Sequence, residues 1–179
     1  VCRSCVLNVV AQAAVWQMAL QLLEGSLDGV ACGAALRACG RAGKWQDALQ
    51  LLKKAEENQI LGTILCNAAI TACDVSAQWQ RALVLIKQMR QLRIAEDSIT
   101  LSAAMGACEK GKQWERALVL LVEMQEQRME GNAIAFTAAL TALGHKWQRA
   151  LLVLEDMKNE EVCPNRVTYT AVMSACGHA

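Results

Sequence analysis

The stretch Lys112-Gln-Trp-Glu-Arg-Ala-Leu-Val-Leu-Leu-Val-Glu-Met124 contains a short motif that recurs along the chain. The motif, Trp-(Gln/Glu)-x-Ala-Leu, uses all five tryptophans of the 179-residue sequence, which are Trp16, Trp45, Trp79, Trp114 and Trp147. Successive copies start 29, 34, 35 and 33 residues apart. A period of this length is typical of stacked two-element units rather than of one compact fold.

An alanine-rich segment precedes every copy of this motif from the second onward. These segments begin at Cys32, Cys66, Leu101 and Phe136, and one more, at Tyr169, ends the chain without a Trp motif. Short breaks, such as 40–43 and 109–112, separate the two segments. The pattern predicts an all-α fold of helical hairpins, each with a first helix of small residues and an amphipathic second helix that begins near Trp.

Polar and glycine-containing breaks also divide one hairpin from the next. The predicted units are a degenerate first repeat at 1–28, repeats at 29–62, 63–97, 98–132 and 133–165, and the first helix of a truncated repeat at 166–179. The repeat at 133–165 is two residues short. Because the chain begins with Val rather than Met, we expect a fragment or a processed chain in which no targeting peptide would be visible.

Composition and motifs argue against several classes of function. The net charge is +1, so the chain as a whole exerts little attraction on nucleic acids or acidic membranes. Any electrostatic attraction to such a partner must come from the local placement of charged residues. The sequence has no phosphate-binding loop, no Gly-x-Ser-x-Gly and no metal-binding cluster of His or Asp. We therefore expect no enzyme activity, no cofactor and no small-molecule substrate.

The cysteines and one uncharged stretch raise further alternatives. Nine Cys is an odd number, and their apolar helical setting favours buried thiols in a reducing compartment over disulfides. Cys2 and Cys5 have the spacing of a metal or redox pair, but no second pair accompanies them. Residues 4–23 carry no charge and are long enough to span a bilayer. However, they contain Asn and Gln, and their second half aligns with the other four copies of the Trp motif, which are plainly soluble. We therefore expect no membrane segment.

The recurrence of Trp at one slot indicates a structural role. At the start of each second helix the ring can wedge between the two helices of its own hairpin. If a ring is fully buried there, its replacement by Ala should cost about 3–5 kcal/mol. The cysteines at matching slots, Cys39, Cys73, Cys108 and Cys176, should be buried too, since Leu143 takes the same slot in another copy.

Three slots of the repeat stand out as candidates for binding. The variable slot, just before the Ala-Ala or Ala-Val pair, holds Gly33, Asn67, Ser102, Thr137 and Thr170. The aliphatic slot, three residues earlier, holds Val30, Ile64, Ile99, Ile134 and Val167. The cap slot, just before each first helix, holds Gly62, Asp97, Asn132 and Asn165.

The two polar slots also have purely structural explanations. A short side-chain oxygen in the cap slot can accept hydrogen bonds from the first backbone N–H groups of the following helix. A hydroxyl in the variable slot can donate to the preceding turn of its own helix. The sequence leaves these explanations open beside a role in binding.

Both helices resemble those of the pentatricopeptide repeat family. Asn132-Ala-Ile-Ala-Phe-Thr-Ala-Ala-Leu140 and Pro164-Asn-Arg-Val-Thr-Tyr-Thr-Ala-Val-Met-Ser-Ala-Cys176 are similar to its first helix, and Gly111-Lys-Gln-Trp-Glu-Arg-Ala-Leu-Val-Leu-Leu-Val-Glu-Met124 to its second. The resemblance is clear over 29–179 and loose over 1–28. The tetratricopeptide repeat also has two helices per period, but its Trp-x-x-Leu-Gly-x-x-Tyr pattern is absent. The resemblance implies an α-α superhelix, a right-handed solenoid of stacked helix-turn-helix repeats.

The resemblance also implies sequence-selective binding of single-stranded RNA, one nucleotide per repeat. In the family, the variable and cap slots of one repeat read the base together, and the aliphatic slot helps to sandwich it. Asn67 with Asp97 resembles a pair that prefers uracil. Two further pairs resemble those that prefer adenine: Ser102 with Asn132, and Thr137 with Asn165.

The implied RNA core is therefore 5′-UAA-3′. Gly33 with Gly62 offers a base no side chain to bond, so we expect that repeat to read nothing, and the partner of Thr170 lies beyond the end of the sequence. A basic residue near the end of the first helix approaches phosphate in the family, and Arg41 and Lys110 occupy that slot. With so few cations, the salt dependence of binding should be shallow.

Two functions remain open. The resemblance favours an RNA-binding module for RNA processing, stability or translation in a mitochondrion or chloroplast, where the family usually acts. The alternative is a helical scaffold that binds other proteins, with slots that serve only as caps and helix-facing hydroxyls. The two differ in whether the slots form one continuous stripe along successive repeats.

Overall fold

Every regular element in the described part of the chain is an α-helix. The computed structural model describes residues 29–127, 129, 133–144 and 146–177. Its helices are α1 (Gly29–Arg41), α2 (Trp45–Glu57), α3 (Thr63–Val75), α4 (Trp79–Gln91), α5 (Ser98–Lys110), α6 (Trp114–Glu126), α7 (Ala133–Leu143), α8 (Trp147–Asn159) and α9 (Arg166–Cys176). No strand occurs among these residues, so the prediction of an all-α fold is confirmed. The degenerate first repeat, with Trp16, the Cys2–Cys5 pair and the uncharged stretch 4–23, lies outside the described residues.

In each hairpin the first helix buries more of its residues than the amphipathic second helix does, nine of 13 in α1 against four of 13 in α2. The second helices all begin at Trp, as the motif predicts, and bury one stripe, which in α2 is Ala48, Leu51, Leu52 and Ala55. The first helices bury small residues on most sides, and these allow close approach of neighbours. A Cβ at Gly40 of α1 would lie 3.6 Å from the Cα of Ala72 in α3.

The described helices fall into two compact units, Val1–Glu96 and Asp97–Ala179. In the first unit, α1 packs against α2 and α3, and α3 also packs against α2 and α4. In the second unit, α5 packs against α6 and α7, and α7 also packs against α6, α8 and α9. Within each unit, successive hairpins therefore stack in the order of the sequence.

Polar contacts join neighbouring hairpins inside the first unit. The Ser76 hydroxyl donates to the Gly43 carbonyl at 3.0 Å, and the Gln88 amide donates to the Glu56 carboxylate at 3.0 Å. Both bonds connect residues one repeat apart. Together with the apolar contact between the hairpins, these two bonds therefore fix the register of one hairpin against the next.

One backbone conformation recurs at the ends of the helices. The residues with positive φ in these turns are Gly43, Gln59, Ala77, Arg93, Lys112, Gly144 and Glu161. In the turn after α3, Ala77 N donates to Asp74 O at 3.0 Å and Gln78 N donates to Cys73 O at 2.8 Å. This pair of bonds is the Schellman closure, in which a left-handed residue lets the chain satisfy the last carbonyls of the helix.

None of the four described tryptophans is fully buried, which was the condition for the expected loss of 3–5 kcal/mol. Trp45, Trp79 and Trp114 are half-buried, and Trp147 is 39% exposed. The Arg81 guanidinium lies 5.8 Å from the centroid of the Trp45 ring. Each ring stands at the first residue of its helix, beyond the end of the apolar stripe, where cations from the next repeat can reach it.

The ring of Trp114 shows the same arrangement in the second unit. The Arg149 guanidinium lies 4.5 Å from its centroid, and the Lys146 ammonium lies 5.4 Å away. A cation over an aromatic face is attracted by the ring quadrupole. Trp45 and Trp114 therefore contact cations of the next repeat, and the 3–5 kcal/mol expected for a fully buried ring does not apply.

The cysteines of the matching slot are buried in three of four copies. Cys39, Cys73 and Cys108 are fully buried, and none of the described cysteines forms a disulfide. Burial raises the pKa of these three thiols to about 11. Cys176 is exposed, contrary to the expectation, because it ends α9 and no further helix follows α9 in the described residues to cover it.

The described residues contain no helix long and apolar enough to cross a membrane. Nor does this part of the chain bring three His, Cys, Asp or Glu side chains together in a way that could hold a metal ion.

Candidate nucleic-acid interface

The second residue of every described first helix is an exposed aliphatic. The side chains in this aliphatic slot are 57–72% exposed, and they are Val30, Ile64, Ile99, Ile134 and Val167. A single exposed Val or Ile needs no explanation, since much of any protein surface is apolar. Exposure at the same slot in five successive first helices forgoes burial that could stabilise the fold. Packing within the chain therefore does not account for this slot.

The variable slot lies on the same face of each first helix, one turn after the aliphatic slot. Asn67, Ser102 and Thr137 are half-buried, Gly33 is buried and Thr170 is exposed. The Thr137 hydroxyl donates to the Ala133 carbonyl, and that of Thr170 donates to the Arg166 carbonyl at 2.8 Å. The structural explanation of these hydroxyls therefore holds, but a hydroxyl oxygen that donates to its own helix still has lone pairs that can accept.

The cap slot caps the next first helix wherever the structure describes a polar residue there. Asp97 Oδ1 accepts from Thr100 N at 2.8 Å, and Asn165 Oδ1 accepts from Thr168 N at 2.9 Å. Gly62 makes no side-chain cap, and Asn132 lies outside the described residues. Capping fixes the position of each head group beside the first turn of the next helix.

Short polar contacts with one buried hydroxyl link the two predicted reading residues of the repeat at 133–165. Thr137 Oγ1 lies 3.1 Å from Thr168 Oγ1, which in turn lies 3.1 Å from Asn165 Oδ1. Thr168 is completely buried, so this link is shielded from water. Thr137 and Asn165 therefore both contact the hydroxyl of Thr168, and their joint role in base reading stays a prediction.

Buried Thr100 and Thr168 were missed by the sequence prediction, although a signal for them exists. Each stands three residues after its cap residue, which is the spacing of a capping box. In both helices the Thr hydroxyl also accepts from the backbone N–H of the cap residue, at 3.3 Å from Asp97 N and 3.2 Å from Asn165 N. The motif therefore orders the cap slot from both sides.

In the first unit the corresponding slots surround an open cavity of about 530 Å³ between α1 and α3. Val30 and Ile64 line it, together with both glycine slots, Gly33 and Gly62, and Arg37. The structure thus brings together two aliphatic slots, one variable slot and one cap slot at a single place. Arg37 was not predicted as part of this site, although its spacing of four residues from Gly33 places both on one helix face.

The predicted phosphate-contacting residues lie at the other end of the first helices. Arg41 and Lys110 are exposed in the last turns of α1 and α5. Eleven residues separate Val30 from Arg41, which corresponds to about 16 Å along the helix axis. The structure therefore places these cations apart from the aliphatic slot, and their role stays a prediction.

Three comparisons relate this fold to known proteins. The sequence matches a model of the PPR repeat at 30–60 and 99–129 and a model of the pentatricopeptide repeat domain at 119–179, which together cover more than half of the chain. No protein with a curated description matches the sequence.

Solved structures with the same fold include that of the pentatricopeptide repeat protein PPR10 in complex with an 18-nt psaJ RNA element, at 22% identity and a TM-score of 0.79. PPR10 from maize matches at 23% identity and a TM-score of 0.73, over 99% of this chain. The first of these matches covers 96% of this chain, and in both the chain spans 27% of the length of PPR10.

The PPR domain of Arabidopsis thaliana protein-only RNase P 1, in complex with tRNA, matches at 19% identity and a TM-score of 0.71, over 80% of this chain and 77% of that domain. At such identities the likeness establishes the fold. Together with the two sequence models and the recurring Trp motif, it shows that the chain belongs to the pentatricopeptide repeat family.

Proposed function

We propose that this chain is a sequence-selective binding module for single-stranded RNA, in which each repeat takes one nucleotide. The observation that carries the proposal is the row of exposed Val and Ile side chains at the second residue of successive first helices. A base has two apolar faces, and aliphatic side chains in a row offer platforms between which bases can insert. The adjoining variable and cap slots supply the donors and acceptors that distinguish one base edge from another.

The similar structures with bound nucleic acid support this choice. PPR10 is in complex with an RNA element, and the PPR domain of protein-only RNase P 1 is in complex with tRNA. The proposed core is 5′-UAA-3′, read by Asn67 with Asp97, Ser102 with Asn132 and Thr137 with Asn165. Stacking on an aliphatic is weaker than on an aromatic, so affinity must accumulate over several repeats.

A titration of labelled RNAs tests the base preference. Oligonucleotides that differ only in a central UAA, UGG or CAA are titrated with the full chain, and fluorescence anisotropy gives the Kd of each. The proposal expects UAA to bind tightest, by about 5-fold or more per mismatched base if each costs at least about 1 kcal/mol. Equal weak binding to all three, or no binding, would instead favour a scaffold for other proteins.

A pair of aliphatic variants tests the platform. Ile64→Ala removes a side chain that is 72% exposed, and Val84→Ala removes one that is 57% exposed on the second helix α4. Both should change the free energy of unfolding by less than about 0.5 kcal/mol, because neither side chain is in the core. RNA affinity should fall for Ile64→Ala alone. Equal affinities of the two variants would contradict the proposed surface.

We further propose that the module acts in a mitochondrion or chloroplast, in RNA processing, stability or translation, without a catalytic step of its own. The family resemblance supports this setting. One test is to fuse the complete protein that contains this chain to a fluorescent reporter and image it. A reporter signal confined to the cytosol would contradict the organellar assignment.

A further inference from the structure

In the repeat at 29–62, both proposed reading slots hold glycine. Gly33 is buried and Gly62 half-buried, and their lack of side chains opens the cavity of about 530 Å³ between α1 and α3. This volume lies within the range of small-molecule sites, about 300–1,000 Å³. The exposed Val30 and Ile64 line the cavity, so it offers apolar contact to a flat ring.

Arg37 places a cationic group at the missing variable side chain. Its Nη1 lies 3.5 Å from the position that a Cβ at Gly33 would occupy, and its side chain lines the same cavity. The residue is exposed, and among the described residues no carboxylate lies within salt-bridge distance of it. The guanidinium therefore lies next to the space that a side chain at Gly33 would occupy.

The remaining polar groups at the cavity are also donors or already engaged. Gly62 has no side chain to cap α3, so the N–H groups of Thr63 and Ile64 donate no hydrogen bond to a capping side chain at that position. The Thr63 hydroxyl donates to the Ala95 carbonyl at 3.1 Å. A guanidinium has only donors, so the side chains of this site complement a base edge that presents acceptors.

Guanine is the base whose edge fits a guanidinium best. Its O6 and N7 are two adjacent acceptors that a guanidinium can engage at once, whereas adenine pairs one acceptor with a donor and cytosine presents a donor. In place of the expectation that the repeat at 29–62 reads no base, we propose that it binds guanine and that Arg37 recognises it. Since this repeat precedes that of Asn67, the target extends to 5′-GUAA-3′; the inference rests on the proposed function.

The test compares four RNAs that differ only in the base 5′ to UAA. The full chain should bind GUAA about 10-fold more tightly than AUAA, CUAA or UUAA, within the range measured for bidentate Arg–guanine pairs. Arg37→Gln should move the preference to AUAA, because Gln pairs with adenine N6 and N7. Lys54→Gln, which removes an exposed cation of α2, is the matched control and should leave the preference for guanine unchanged.

A second variant tests the glycines. Gly33→Asn with Gly62→Asp installs the residue types of the Asn67 and Asp97 pair, and no heavy atom lies closer than 3.5 Å to either new Cβ. This double variant should lose the guanine preference and favour UUAA by about 5-fold or more. A circular dichroism spectrum identical to that of the parent confirms that it folds.

The outcomes separate this inference from the function on which it rests. Equal binding of the four RNAs, with UAA still preferred over UGG, overturns guanine recognition and leaves the reading module standing. An equal loss of affinity for all four RNAs in Arg37→Gln assigns Arg37 to phosphate and also overturns it. If no RNA containing UAA is preferred over UGG, both proposals fail.

Discussion

At the scale of single residues, the reading slots are also parts of the fold. Asn165 caps α9 while it contacts Thr168, and Thr168 contacts Thr137 of the same predicted pair. A side chain that is already fixed loses little further entropy when a ligand binds, which favours affinity and discrimination. The structural and functional explanations of the cap slot therefore support each other rather than compete.

Asn165→Asp should change base preference without loss of stability. Asp97 caps α5 with the same geometry that Asn165 has at α9, so the variant should keep the cap. Its free energy of unfolding should lie within about 0.5 kcal/mol of that of the parent. The amide donor is lost, and by the family resemblance the preference at the third base should move from adenine to guanine. Titration with UAA and UAG measures the change. Asn165→Ala, the control, should lose about 1 kcal/mol of stability together with the preference.

Trp114→Leu should destabilise the second unit by about 1–3 kcal/mol. The half-buried ring loses apolar contact and its interaction with Arg149 and Lys146. Trp147→Leu is the matched control, because the structure places no cation of the described residues over that ring. Urea denaturation measures both, and an equal loss in the two variants would show that the cations contribute nothing.

At the scale of elements, the repeat depends on how each helix ends. The left-handed residue that closes a helix is glycine at 43 and 144 but carries a side chain in the other described turns of this kind, among them Ala77. A side chain in this region costs roughly 1–2 kcal/mol relative to glycine, which has no Cβ. The turns are therefore alike in geometry and unequal in strain.

Exchanging the residues of two equivalent turns should reveal that strain. Ala77→Gly should stabilise the chain by about 0.5–1 kcal/mol, and Gly43→Ala should destabilise it by about 1 kcal/mol. The nearest atom to a Cβ at Gly43 is Ser76 Oγ at 3.8 Å, so the second effect comes from the backbone and not from a clash. The free energy of unfolding in urea is the measurement, and a gain in stability for Gly43→Ala would refute this account.

At the scale of the whole molecule, small buried side chains make up the contact between first helices. Ala and Cys occupy most of that contact, and burial raises the pKa of Cys39, Cys66, Cys73 and Cys108 to about 11. These thiols sit in different hairpins of both units. Their ionisation should therefore lower the stability of both units.

The chain should lose stability as the pH rises from 9 to 11. The thiols ionise near pH 9.0 in the unfolded chain and near pH 11 in the folded one, so their contribution is complete below pH 9 and is lost as the pH passes through 11. Urea midpoints at pH 8, 9, 10 and 11 measure the loss. The triple variant Cys39→Ala, Cys73→Ala, Cys108→Ala removes three of these groups and should show a smaller fall, and an equal fall would assign the effect to other groups.

The helix boundaries were predictable because the sequence repeats them. The four described tryptophans each stand at the first residue of a second helix. The end of α1 differs from the prediction, which placed a break at 40–43, because Gly40 stays helical where α1 approaches Ala72. Periodicity specifies the elements well, whereas a helix end also depends on the neighbour against which it packs.

The site was predictable only in part. The aliphatic, variable and cap slots follow from the alignment of the repeats, and the threonines of the capping boxes follow from their spacing. The cations over Trp45 and Trp114 come from the next repeat, and their positions depend on the angle between hairpins. The reach of Arg37 over Gly33 likewise depends on side-chain direction, which a single sequence does not specify.

The cap slot restricts which mutations could give a repeat a new specificity. Whatever residue stands there must also begin the next helix, and only Asn, Asp, Ser, Thr and Gly do so well. A long side chain such as Gln or Arg at this position would weaken the neighbouring repeat before it could select a nucleotide. Under the proposed function, a change of target base at this slot is therefore limited to the few residue types that also cap a helix well.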